Sequence, residues 1–182
     1  YPSPPQILYS PLLVLFPKKR QEPFGTQKHR LLRGDFLAIV KTDIPMCSQL
    51  CQQTIRELVK AYPFIESKVL TTTAFGRPVL ALEFGSGERK VLFTAAHHAN
   101  EWITTTLLLK FVEELAHAVQ NNGQLYGIHA MNVVQASTLY FVPMVNPDGV
   151  DLVTGALLPG SEEEKKAEQI QQNYPQIPYP QG

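Results

Sequence analysis

The chain has 182 residues, 44% of them hydrophobic and 18% charged, and its 16 Lys and Arg are balanced by 16 Asp and Glu. That size and balance fit one globular domain with a real core and exclude a disordered chain or a strongly basic nucleic-acid binder. No apolar run approaches the roughly 20 residues that a membrane-spanning helix needs.

Residues 1–38 read as a Pro-rich basic arm or linker. Prolines at positions 2, 4, 5, 11, 17 and 23 forbid a long helix. Lys18, Lys19, Arg20, Lys28, Arg30 and Arg33 outnumber Glu22 and Asp35 by four, which describes a solvated arm. The basic cluster follows the apolar run Leu12–Phe16, whereas a signal peptide places its charges first. The chain starts at Tyr1 and not at a methionine, as expected of a fragment.

Asp43-Ile44-Pro45 stops the strand-like stretch Phe36–Val40. A helix is predicted from about Ser48 to Ala61, with Leu50, Ile55, Leu58 and Val59 near helical period, and Tyr62-Pro63 ends it. Cys47 and Cys51 lie one turn apart at its start. Two cysteines make no disulfide scaffold and have no zinc-finger spacing, so they read as reduced thiols, which favours a cytoplasmic location. Val69–Phe75 and Val79–Phe84 read as strands joined by the Gly76-Arg77-Pro78 turn. After the turn Gly85-Ser86-Gly87-Glu88, a strand over 90–96 delivers His97 and His98.

The next helix is predicted over Ile103–Val119, with Leu107, Leu108, Phe111, Val112, Leu115 and Val119 as its apolar stripe. Asn121-Asn122-Gly123 ends it and a polar connector follows. Thr138–Val142 is a buried-type strand. Strand, helix, strand predicts a right-handed crossover with parallel strands. The Asn146-Pro147-Asp148-Gly149 segment then belongs at the same sheet edge as His98. Asn146 and Asp148 there read more as Asx turn caps than as ligands. Ser161 with Glu162, Glu163 and Glu164 starts a polar helix whose charge run reads as a solvated face. Pro175–Gly182 reads as open loop.

His98 and Glu101 stand in the relation i, i+3 and share one face of a helical turn. An imidazole and a carboxylate so held can ligate one zinc ion, given a third protein ligand and an open position. The plainer alternatives are a first-turn acid favoured by the helix dipole and a polar turn residue. Spacing alone leaves both open.

The context decides between them. His98-Ala99-Asn100-Glu101-Trp102-Ile103-Thr104 resembles the first zinc motif of the metallocarboxypeptidases. The longer run Phe93–Thr106 is most similar to the bacterial branch that cleaves γ-D-glutamyl–diamino acid bonds in peptidoglycan peptides. Gly76-Arg77-Pro78-Val79 with Leu80-Ala81-Leu82 resembles the family's preceding hairpin, and Val142–Asp151 its Asn-Pro-Asp-Gly segment. Together the three matches span roughly Ile39 to Asp151.

The resemblance implies an α/β fold, a three-layer mixed sheet with helices on both faces, incomplete at the C-terminus, with residues 39–182 the N-terminal part of a catalytic domain. It implies Zn2+ held by His98 and Glu101, and a peptide substrate, with peptidoglycan-derived peptides the candidate; no nucleic-acid or membrane partner is expected. Relatives often carry wall-binding LysM repeats upstream. Pro5–Tyr9 and Leu13–Pro17 resemble one only faintly, and a linker is the preferred reading.

A third ligand is not evident. His117 follows Glu101 by a helix rising about 1.5 Å per residue, which places it more than about 20 Å away. His129 falls in the return connector, His97 points away from His98, and His29 lies in the arm. In the resembling family the third histidine, a glutamate base and a substrate-binding arginine all follow the Asn-Pro-Asp-Gly segment. Here no arginine follows Arg89, so no catalytic residue is assigned, and this stretch alone is expected to be inactive, with an unpaired sheet edge. Two other activities use the same His-x-x-Glu start, ordinary carboxypeptidase and N-acyl amino acid deacylase. A non-catalytic binder of wall peptides is a third alternative.

Overall fold

The computed structural model describes residues 38–174. The arm expected over 1–38 (save Ala38), His29, the LysM-like stretch and the loop 175–182 lie outside the described residues.

Helix α1 spans Ser48–Ala61 as the periodicity predicts, burying Cys51, Ile55 and Leu58. Cys47 takes an extended backbone at its N-cap, and both cysteines are free thiols. Burial above all, then the charges of Cys47 and Asp151, push the Cys51 thiol up to about 12. Strands β1 (Glu66–Thr72), β2 (Pro78–Phe84) and β3 (Arg89–Thr94) follow. A short 3-10 turn over Ala99–Glu101 leads into α2 (Ile103–Gln120). Then come β4 (Gln124–Leu125), β5 (Ile128–His129), α3 (Ala130–Ala136), β6 (Ser137–Val142), α4 (Pro147–Val153) and α5 (Glu162–Gln172).

The main sheet has the order β1-β2-β6-β3. β2 pairs antiparallel with β1 and β6, while β3 pairs parallel with β6, from Arg89 opposite Ser137 to Thr94 opposite Val142. The parallel pair is the one that strand, helix, strand predicts. It sets the ends of β3 and β6 side by side, so both following loops leave from one edge.

One face of this sheet carries the main core. Leu82 and Phe84 of β2 and Leu139 and Phe141 of β6 are buried with Ile55 and Leu58 of α1 and with Leu109, Val112 and Leu115 of α2. Phe93 stacks on Phe141 with ring centroids 5.1 Å apart. The other face holds a smaller buried set, Val79, Ala81 and Val142, packed with Val145. β3 is an edge strand of the described sheet, and its Leu92 is 63% exposed.

Three local expectations need correction, and one charged residue is buried where none was expected. β1 begins at Glu66 and ends at Thr72, not over 69–75; all seven residues are exposed and the register shifts between Val69 and Thr71, so no alternation marks the strand. The polar connector is the β4–β5 hairpin followed by α3, elements too short for a clear period. Leu107 does not belong to the buried stripe of α2, being 70% exposed. Glu113, a charged residue on the same helix, is buried instead. Its Oε1 accepts from the Ile39 amide at 2.5 Å and the Val40 amide at 3.4 Å, and its Oε2 meets Lys110 Nζ at 2.6 Å. Two amides and an ammonium satisfy a carboxylate that would otherwise be costly to bury.

The connector between β2 and β3 presses on the start of β6. A Cβ added at Gly87 would lie 2.0 Å from the Ala136 carbonyl carbon, and one at Gly85, where φ is +96°, 2.3 Å from the Ser137 carbonyl oxygen.

Candidate metal centre

β3 ends at Thr94, and Ala95 extends its pairing by one bond, donating its amide to the Val142 carbonyl at 3.0 Å. The backbone then turns sharply through Ala96, whose φ is +47°. A positive φ is uncommon outside glycine, and its cost is met by bonds on both sides of the residue. The Ala96 amide donates to Thr104 Oγ1 at 2.9 Å, and that hydroxyl donates to the Glu101 carbonyl at 2.7 Å. The Ala96 carbonyl accepts from the Asn146 amide at 3.0 Å. The first turn of α2 and the loop after β6 thus grip the same residue.

His98 caps the 3-10 turn with an extended backbone, and its carbonyl accepts from the Glu101 amide at 3.1 Å. The turn brings the two side chains together as the spacing predicts: His98 Nδ1 lies 3.1 Å from Glu101 Oε2. Both are open to solvent, 77% and 50% exposed. His97 is not part of the pair, because its Nε2 lies 2.9 Å from Thr94 Oγ1. His117 sits in the last turn of α2 and His129 in β5 beyond that helix, at the far end from the pair. Among the described residues no group of three His, Cys, Asp or Glu is placed to hold a metal ion.

The donor set fits zinc in part. Nitrogen and carboxylate oxygen bind zinc at about 2.0–2.2 Å, and two such ligands on a tetrahedron lie roughly 3.3–3.4 Å apart. The gap between His98 Nδ1 and Glu101 Oε2 is 3.1 Å, close to that edge. A proton on Nδ1 can bridge the same gap, so exchanging it for a cation asks for little movement. These residues supply two donors; the third protein ligand that such sites use is not among the described residues.

Behind the pair stands α4. Asn146 Oδ1 accepts from the Gly149 amide at 3.0 Å, the Asx cap expected there, with Pro147 in the first turn. The helix packs directly on the 3-10 turn: a Cβ added at Gly149 would lie 3.0 Å from Ala99 Cβ and 2.6 Å from Asn146 Nδ2. The Asn-Pro-Asp-Gly segment therefore does lie beside the turn carrying His98 and Glu101.

Asp148 does more than close a turn. It accepts from Thr73 Oγ1 at 2.7 Å, from the Phe75 amide at 3.3 Å and from Arg77 Nη1 at 3.3 Å. Arg77 Nε also meets Asp151 Oδ2 at 2.5 Å, and Nη2 meets Glu163 Oε2 at 2.8 Å. Asp151 in turn accepts from the Ser48 amide at 2.7 Å and the Ser48 hydroxyl at 2.6 Å, at the start of α1. Burial works against the Arg77 charge, but hydrogen bonds to Glu163 and Asp151 hold its pKa above the ordinary value. Glu163 thus leaves the expected solvated face, although Ser161 caps α5 as predicted, accepting from the Glu164 amide. This cluster is not legible in the sequence. The only signal for it was an arginine in a hairpin turn and acids one helical turn apart, at 148 and 151.

Residues 51–176 match the zinc carboxypeptidase family, peptidase M14, over well more than half of the chain. The chain belongs to the zinc carboxypeptidase family. It is 36% identical over 113 residues to the uncharacterized protein YqgT of Bacillus subtilis (strain 168), covering 61% of this chain and 29% of that protein. It is 35% identical over 99 residues to gamma-D-glutamyl-L-diamino acid endopeptidase 1 of Lysinibacillus sphaericus, covering 54% of this chain and 25% of the endopeptidase. The chain thus spans between a quarter and a third of the length of these curated relatives. Among solved structures, carboxypeptidase A from Helicoverpa armigera superposes with a TM-score of 0.54 at 18% identity, covering 63% of this chain and 28% of the other. At that identity the likeness speaks for the fold, which is that of the carboxypeptidases. No helix among the described residues is long and apolar enough to cross a membrane.

Proposed function

We propose that this chain is the N-terminal part of a zinc peptidase that hydrolyses γ-D-glutamyl–diamino acid bonds in cell-wall peptides. Residues 39–182 would form the first part of the catalytic domain and residues 1–38 a linker to it. The observation that carries the reading is the His98–Glu101 pair, 3.1 Å apart on a turn at the carboxyl end of a parallel strand. The choice of bond rests on the 35% identity to the Lysinibacillus sphaericus endopeptidase.

In this reading His98 Nδ1 and Glu101 Oε2 are two of the zinc donors. Zinc, when bound, polarises a scissile carbonyl and lowers the pKa of a water molecule. The residues of this chain orient the donors: Thr104 ties Ala96 to the Glu101 carbonyl, and the Asn146 amide holds Ala96 from the other side. The third ligand and the base that accepts the proton of the water would come from outside residues 38–174.

The test is hydrolysis of matched γ-linked and α-linked peptides by the full-length protein. Cleavage of the γ-D-glutamyl–diamino acid bond, dependent on zinc and lost in Glu101→Ala, is the expected result. Release of an ordinary C-terminal residue from α-linked peptides instead would refute the substrate and keep the chemistry. Binding of wall peptides without turnover or zinc would refute both.

A further inference from the structure

We infer that Arg77 is a positioning residue for the metal centre: through Asp148 and Asp151 it fixes α4, and α4 fixes the turn that carries His98 and Glu101. The inference rests on the proposed zinc reading of that pair.

Three observations carry it. First, the guanidinium is mostly buried, its side chain 15% exposed, and each of its nitrogens meets a different carboxylate. A planar fork so occupied has one orientation, which a lysine could not reproduce. Second, two of its three partners are on α4, on successive turns of that helix, so the fork sets the rotation of α4 as well as its position. Asp151 also reaches Ser48 and Asp148 reaches Thr73 and Phe75, so α4 is tied to α1 and to the β1–β2 turn. Third, the opposite side of α4 has no slack. Gly149 leaves room for no Cβ against Ala99, the residue between His98 and Asn100, and the Asn146 amide holds the Ala96 carbonyl at 3.0 Å. A rotation of α4 that follows loss of the fork is therefore transmitted to residues 96–101.

The metal pair has no comparable support of its own. His98 and Glu101 are the exposed side of the turn, and neither makes a side-chain hydrogen bond beyond their mutual contact among those described. Their 3.1 Å separation is set by the backbone beneath them, which α4 and the first turn of α2 hold.

The experiment uses the full-length protein, with Zn2+ alone as the probe, titrated against a chromogenic chelator. Hydrogen exchange of the metal-free protein gives a second readout. Arg77→Gln is expected to weaken Zn2+ binding by about tenfold or more, in the range seen when groups supporting metal ligands are removed. It is also expected to speed exchange at the amides of residues 96–102. Phe84→Leu, at the far end of β2 and stacked on Phe64, is the control for general destabilisation; it should lower the unfolding midpoint and leave both readouts unchanged. If Arg77→Gln does not fold, Asp148→Asn removes one arm of the fork and leaves Asp151 in place, and a smaller change in the same direction is expected. Unchanged affinity and unchanged exchange in a folded variant would overturn the inference. Failure of the zinc reading itself looks different: His98→Ala would then bind Zn2+ as wild type does, and faster exchange at 96–102 in Arg77→Gln would still support the mechanical link.

Discussion

Two charged assemblies sit back to back near the carboxyl end of β3, and they are built in opposite ways. The His98–Glu101 pair is exposed, joins residues three apart, and touches little else. The Arg77 cluster is largely withdrawn from solvent, with Glu163 at its open edge; it joins residues more than 70 apart in sequence and ties a strand turn to α1, α4 and α5. Exposed ion pairs contribute little, of order 0–1 kcal/mol, whereas removing one partner of a buried pair costs about 3–5 kcal/mol. The difference teaches where each task is placed. In the proposed zinc reading, the groups that would meet a cation and a substrate stay in solvent, and the rigidity they need is supplied from behind.

The sharpest break would come at Asp151. Asp151→Ala strips Ser48 and Arg77 of a buried partner, and a loss of about 3–5 kcal/mol is expected by urea denaturation. A loss below about 1 kcal/mol would show that the cluster is not the support described.

The exposed pair should behave in reverse. Without metal, His98→Ala should change stability by no more than about 0.5 kcal/mol. Zinc at a hundredfold excess over its dissociation constant should stabilise the full-length wild type by about 2.7 kcal/mol, and this gain should vanish in His98→Ala and on chelation. Thermal melts with and without chelator measure both. A His98→Ala variant that melts far below metal-free wild type would erase the contrast.

Gly149→Ala probes the seam between the two assemblies. The added methyl meets Ala99 and Asn146, so a cost of about 1–3 kcal/mol is expected, with weaker zinc binding alongside. Full stability with normal zinc binding would mean that α4 can retreat from the turn.

The smallest effect belongs to the exposed pair Lys68–Glu83, remote from both. The hydrogen bond from Lys68 holds the Glu83 carboxyl below its ordinary range. A lowered folded pKa contributes stability above the unfolded value, near 4.5, and that contribution fades as pH falls through the lowered one. Lys68→Ala should therefore lower stability slightly at neutral pH and leave it unchanged at strongly acid pH, so that the acid limb of a stability–pH curve flattens slightly.

Much of this was legible in the sequence. The limits of α1, the cap at Ser161 and the parallel pairing of β3 with β6 each follow from a local signal: period, capping residue, or the order strand, helix, strand. The meeting of His98 with Glu101 was legible for the same reason, since three residues of one turn fix it. What was not legible is long-range. Nothing near Arg77 announces Asp151, and nothing near Glu113 announces the amides of Ile39 and Val40. Charged residues read as solvated until a distant segment arrives to satisfy them. β1 escaped its true limits because an exposed strand has no alternation to read.

The order of pairing in the sheet has a consequence for how the chain finds its fold. β1 and β2 are joined by residues 73–77, whereas β3 reaches β6 only across residues 95–136. For a flexible chain each doubling of loop length adds about 0.6 kcal/mol of closure entropy, so roughly three doublings make the second pairing about 2 kcal/mol dearer. Among the described residues β3 has no other strand to lean on. The strand that delivers the histidines therefore docks at a higher entropic cost than β1 does, and it depends on α2 and α3 shortening the path before it can close.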